Sequence, residues 1–291
     1  MHFSPILLAG LSHLVVSASG SCLHNTPLMP RQTTPNGVAV AQFGYTGLQG
    51  PAHWHKLNPN NTKACLLPQS PDSIAYTTQC ATGDFQSPID VIPAKLTYLQ
   101  GAAGPQLNYP PIKSATFENL GSTVEVLVTS GSLVYNSTTY SLKQFHFHTP
   151  SEHRINGEAF PLEMHLVHAS PTNAIAVIGQ VFELSAHSST ALLDEVFAHL
   201  AAITEPGSVT RTGRFNFNKV MENVAKNGVY TYGGSLTTPP CSEGVTWFVA
   251  KEPLPIDVDS YEKMKHVVKF NQRFTQGDLG APNVLSPQEV V

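Results

Sequence analysis

Apolar and polar residues alternate along this chain in short runs bounded by turn-forming residues. Runs at 124–129, 132–135, 142–148, 163–169, 174–184 and 245–251 are β-type and are separated by Gly, Pro, Asn or Ser. Only two stretches carry helical spacing. In 190–202, Leu192, Leu193, Val196, Phe197 and Leu200 share one face, and 260–271 is the second. There is no internal repeat, and no long polar interval splits the runs. The pattern predicts a predominantly β single domain with a few peripheral helices.

Composition supports this reading and narrows the function. The chain has 291 residues with 16 Lys+Arg against 20 Asp+Glu, a net charge of −4, which excludes a nucleic-acid binder driven by bulk charge. At 41% hydrophobic residues it is neither disordered nor a coiled coil, and 21 Gly with 23 Pro suit strands and turns. Residues 1–20 read as a secretory signal peptide, an apolar stretch followed by small residues and too short to span a bilayer. Residues 21–40 read as an N-terminal arm, Pro- and Thr-rich over 26–36; 41–275 as the folded domain; and 276–291 as a C-terminal tail. The cysteines fit an oxidising compartment. Cys22, Cys65, Cys80 and Cys241 contain no C-x-x-C pair, so disulfides are favoured over a thiolate metal site, with three pairings open. Asn60 and Asn136 open glycosylation sequons. A secreted, extracellular protein is expected, with no nucleic-acid partner and no membrane span.

The candidate chemistry lies in two strand-like segments, Gln144-Phe145-His146-Phe147-His148 and Glu163-Met164-His165-Leu166-Val167-His168. Residues two apart on a strand face the same side, so Gln144, His146 and His148 share one face and Glu163, His165 and Val167 share another. The 149–161 connection is long enough to return the second strand antiparallel beside the first, which lets His165 join the other two imidazoles. Three neutral imidazoles with an open fourth position make a catalytic zinc site. Gln144 and Glu163 are placed to hold the far nitrogens of neighbouring rings. Spacing alone leaves a metal site and ordinary core histidines equally open. His146-x-His148-x-x-x-Glu152 also opens like a cupin metal motif, although Tyr140 replaces its leading Gly and His165 lacks its preceding Pro-x-Gly.

Eight blocks in order resemble the α-class carbonic anhydrases. They are Phe43-Gly44-Tyr45, His53-Trp54-His55-Lys56, Gln86-Ser87-Pro88-Ile89, residues 144–148, Ser151-Glu152-His153, residues 163–168, residues 235–240 with Val245-Thr246-Trp247, and Asn271-Gln272-Arg273. The resemblance implies an α+β, predominantly β, single domain around a large, mostly antiparallel twisted sheet with peripheral helices, and one Zn²⁺ per chain on His146, His148 and His165, with Gln144 and Glu163 supporting the ligands. It implies that Thr237 accepts a hydrogen bond from a zinc-bound hydroxide and donates one to an ionised Glu152, turning the hydroxide toward carbon dioxide. Val167, Val177, Leu236, Val245 and Trp247 match the apolar wall for carbon dioxide, Thr238 a substrate-side position, and Tyr45 a residue that orders cavity water. Bicarbonate and a proton would be the products, with esterase activity on the side. The resemblance pairs Cys80 with Cys241, leaving Cys22 with Cys65. It departs at Ser122, which stands where faster members carry a shuttle histidine; serine does not relay protons near neutral pH as imidazole does.

Overall fold

The computed structural model describes residues 31–33, 37–57 and 75–286. Nine strands lie side by side in the order Val209–Arg211, Thr116–Asn119, Val124–Leu127, Thr138–His148, Leu162–Ala169, Ile175–Ser185, Glu243–Ala250, Val229–Ser235 and Thr97–Leu99. Neighbours on this path run antiparallel except Ile175–Ser185 with Glu243–Ala250. The expected α+β, mostly antiparallel architecture is therefore the observed one.

Side-chain alternation gives the sheet two buried faces. One carries Phe145, Phe147, Met164, Leu166, Ile178 and Phe248, which pack with Leu193, Val196, Val220 and Met264 from the helices. Removing each such side chain from water contributes about 1.5–3 kcal/mol. The opposite face carries Val167, Val177, Tyr232, Val245, Trp247 and Val249. The histidine face of the sheet is this second one, so the site is built over a rigid, two-sided platform.

Several element ends differ from those read in the pattern. The run expected from 142 begins at Thr138, because residues 138–141 pair with Ser132–Tyr135 in a hairpin. Its outward Thr139 and Ser141 are polar and mask the strand. Asn136 and Ser137 turn this hairpin with φ of 46° and 60°, a two-residue turn needing positive φ at both positions. Helix Val258–Val268 starts earlier than expected because the Asp257 side chain accepts from Ser260 N–H at 2.9 Å. It ends earlier too, at Lys269 with φ 63°. Helix Ala191–Phe197 stops short, and Leu200–Ala202 follows as a 3-10 turn. Helices Ala75–Thr82 and Asn218–Asn227 carry no expectation from the sequence; the second buries Val220, Asn223 and Val224.

The segments flanking the domain also carry structure. Within the arm, Arg31–Thr33 pairs with Ala39–Ala41, and Ala41 N–H donates to the Leu120 carbonyl. Beyond 275, Gln276 N–H donates to Pro88 O and Asn283 Nδ2 to Gly83 O, so residues 276–286 lie against the body. Cys80 and Cys241 are joined in a disulfide across a separation of 161 residues, beside Phe43 and Trp54. The signal segment, Cys22, Cys65 and Asn60 lie outside the described residues. Among the described residues no helix is long and apolar enough to cross a membrane.

Candidate metal centre

His146 and His165 stand directly opposite each other in the antiparallel pair of Thr138–His148 with Leu162–Ala169, and His148 stands opposite Glu163. The three rings gather on one face, with centroids 5.1, 5.2 and 4.5 Å apart. One ring nitrogen from each lies within 4.8 Å of the others. His148 and His165 are buried and His146 is half-buried.

Hydrogen bonds on the far side of each ring decide which nitrogen faces the centre. His148 Nδ1 lies 2.9 Å from the Asn271 carbonyl oxygen, which only accepts, so Nδ1 carries the proton. Its Nε2 is buried without a hydrogen-bond partner, a lone pair awaiting an electrophile. Burial first, then the neighbouring His165, pushes His148 down to about 3, which keeps the ring neutral. His146 Nδ1 is 2.8 Å from Gln144 Oε1, and His165 Nε2 is 2.9 Å from Glu163 Oε1. Burial also lowers the pKa of His165, in spite of Glu163. Three imidazoles, each oriented from behind, fit a tetrahedral dication such as Zn²⁺.

His153, Glu163 and His165 form a second cluster with metal-ligand spacing. Its donor atoms are already committed to one another. His153 Nδ1 is 2.7 Å from Glu163 Oε1 and its Nε2 is 2.7 Å from the Tyr232 hydroxyl, while Glu163 Oε2 accepts from Glu152 and His153 N–H, both at 2.8 Å. Burial alone would raise Glu163, but His153 and His165 outweigh it and hold the carboxylate well below its ordinary range. This cluster is the support of the first.

Val167, Val177 and Trp247 align across three strands, and with Val245 and Leu236 they belong to one apolar cluster. Glu152 Oε1 accepts from Arg273 N–H at 2.9 Å; its Oε2 is buried without a strictly aligned partner. Burial pushes this carboxyl well above its usual range, while the Thr237 hydroxyl and the Arg273 N–H favour the ionised form. Thr237 and Thr238 are buried in the loop after Val229–Ser235. That loop is pinned by reciprocal bonds, Ser87 N–H to Ser235 Oγ at 2.9 Å and Ser235 N–H to Ser87 Oγ at 3.0 Å. The Tyr45 hydroxyl is buried without a hydrogen-bond partner. Ser122 is buried, and its carbonyl accepts from Asn271 Nδ2 at 3.0 Å.

Sequence reasoning assigned no role to Asn271, His153, Tyr232 or Ser87. Asn271 reaches the site from beyond the last helix: its carbonyl holds His148, its Oδ1 takes Thr149 N–H, and its Nδ2 donates to Ser122 and Phe147. Strand periodicity links only residues on paired strands, so it does not find a carbonyl more than a hundred positions away. The available signal was membership of Asn271, His153 and Ser87 in the matched blocks.

Residues 49–283 match the family model described as eukaryotic-type carbonic anhydrase. The chain is 32% identical over 272 residues to a carbonic anhydrase from Nostoc sp., covering 92% of this chain and 89% of that protein. Among solved structures, a fungal alpha carbonic anhydrase from Aspergillus oryzae is 41% identical with a TM-score of 0.76, covering 84% of this chain and 96% of that one. The alpha-carbonic anhydrase from Thermovibrio ammonificans, in complex with the inhibitor sulfanilamide, is 34% identical with a TM-score of 0.68, covering 81% and 95%. The cupin alternative falls away, since the histidines lie on a broad open sheet of a different family. This chain belongs to the eukaryotic-type, or α, carbonic anhydrase family.

Proposed function

We propose that His146, His148 and His165 hold one Zn²⁺ and that the site catalyses the reversible hydration of carbon dioxide to bicarbonate and a proton. The observation that carries this is the buried, unpartnered Nε2 of His148 beside two other imidazoles oriented from behind. When bound, zinc supplies a Lewis acid that lowers the pKa of a coordinated water. Gln144, Glu163 and the Asn271 carbonyl fix the three tautomers, so no ring reorients as the reaction proceeds.

Thr237 and Glu152 orient the nucleophile. An ionised Glu152 only accepts, so the Thr237 proton is committed to it and the Thr237 oxygen is left to accept from the attacking oxygen. His148 Nδ1 lies 3.5 Å from Glu152, so a dication bound by His148 would oppose the effect of burial on that carboxylate. The wall of Val167, Val177, Leu236, Val245 and Trp247 receives apolar carbon dioxide and gives no compensation to a charged product, which favours release of bicarbonate. Thr238 lies on the substrate side, and the Tyr45 hydroxyl holds cavity water. Ser122 offers no imidazole, so the proton leaves to buffer.

The proposed setting is extracellular. The Cys80–Cys241 disulfide and the exposed Asn136 at a hairpin tip support it, with residues 1–20 removed as a signal, Cys22 paired with Cys65, and Asn60 a second glycan site. Mass spectrometry of secreted protein before and after glycosidase treatment tests this. For the activity, stopped-flow hydration across an imidazole series is the test. A rate that climbs with imidazole fits the reading, and a rate independent of imidazole contradicts the missing relay at Ser122.

A further inference from the structure

Gly179 sits in the middle of Ile175–Ser185, directly opposite His165, at the position whose side chain would point onto the metal face. Its strand neighbours Val177, Ile178 and Val181 are fully branched and buried. Its backbone is not in the left-handed region, so conformation does not require glycine there. Space does. A Cβ at Gly179 would lie 2.9 Å from Glu163 Oε1, 3.7 Å from Trp247 Cζ3 and 3.8 Å from Val249 Cγ2. The two carbon contacts are ordinary van der Waals distances, whereas 2.9 Å from a Cβ to a non-bonded oxygen is too close, so only the Glu163 contact is out of range.

The Glu163 carboxylate has no freedom to yield. Its Oε1 receives His165 and His153, and its Oε2 receives the N–H groups of Glu152 and His153. A methyl group at Gly179 would push against an anion tied at four points, and one of those points is a metal ligand. Glycine in a strand interior commonly marks the close approach of another group; here that group is the carboxylate that orients His165.

We propose that Gly179 is a positioning residue for the metal centre: its missing side chain is the seat of Glu163, and through Glu163 it sets the aim of His165. The inference rests on the zinc reading above. It predicts that Gly179 and Glu163 act as one unit, so their effects on zinc binding are not additive.

The test is a double-variant cycle of wild type, Gly179→Ala, Glu163→Asp and the pair, with zinc affinity read by chelator competition and the melting temperature of each zinc-free protein read alongside. Support of a metal ligand is worth about 10–100-fold in affinity. Gly179→Ala should weaken zinc by that amount in the wild-type background and by less than about threefold in the Glu163→Asp background, where the shorter carboxylate vacates the seat. A purely structural role would move affinity equally in both backgrounds, and that result overturns the inference, as does wild-type affinity in Gly179→Ala. Should Gly179→Ala fail to fold, recovery of a folded, zinc-binding pair variant supports the seat, and failure of both variants overturns it. A wild-type chain that takes up no zinc overturns the metal reading and this inference with it, whereas additive effects on a wild type holding one zinc overturn the inference alone.

Discussion

Glu163 holds His165 through Nε2 at 2.9 Å, the opposite ring nitrogen from the Nδ1 by which His146 and His148 are held. Two rings therefore offer Nε2 to the centre and one offers Nδ1, which lets three imidazoles from two adjacent strands converge without clashing. Supporting bonds of this kind should be measurable one at a time. Gln144→Leu removes the acceptor behind His146 and should weaken zinc by about tenfold or more with little change in fold, read by chelator competition. Unchanged affinity would show that the Gln144 bond does not orient His146.

Thr237 should matter to rate and not to metal. Thr237→Val keeps the shape and removes the hydroxyl, so kcat/KM for carbon dioxide hydration should fall about 10²–10³-fold. Zinc content should stay at one per chain. Activity within a few-fold of wild type would remove Thr237 from the orienting role.

His168 predicts an acid limit to stability that is separate from the metal. Its Nδ1 donates to Ala176 O at 3.1 Å and its Nε2 takes the Tyr109 hydroxyl at 2.8 Å, so the buried ring is neutral. Burial pushes His168 from 6.5 down to about 4. Below 6.5 the unfolded chain binds a proton at this position and the folded chain does not. The stabilisation is therefore complete above 6.5 and is lost as pH falls toward 4, by about 3 kcal/mol in all. Urea unfolding of zinc-free protein at pH 7 and pH 4 should show that loss in wild type and a smaller one in His168→Gln. Parallel losses in the two proteins would contradict it.

The Cys80–Cys241 bond ties helix Ala75–Thr82 to the loop that carries Thr237. Reduction, or the paired change Cys80→Ser with Cys241→Ser, should cost about 2–4 kcal/mol of stability. Chemical denaturation with and without reductant reads this directly. No shift in the midpoint would show that packing of Phe43 and Trp54 suffices there.

Much of this was legible in the sequence because the central features are local and periodic. The period of two placed Gln144, His146 and His148 on one face, and the length of 149–161 let His165 join them; the register that sets His165 opposite His146 is seen only in the structure. Element ends were harder to read, since Asp257 capping, the Lys269 turn and the polar outer face of 138–141 leave no hydrophobic trace. The support of the site beyond Gln144 and Glu163 was harder still. Asn271 contributes a backbone carbonyl, which has no residue signature, and Gly179 contributes empty space, which becomes visible only once Glu163 is seen above it.

The measurement that bears most directly on the whole account is carbon dioxide hydration by one protein preparation before zinc removal, after dialysis against a chelator, and after return of one equivalent of Zn²⁺. The account predicts activity, its loss to the uncatalysed rate, and its recovery in proportion to zinc restored. Hydration that persists in fully zinc-free protein, or that fails to return with one zinc bound per folded chain, would contradict it.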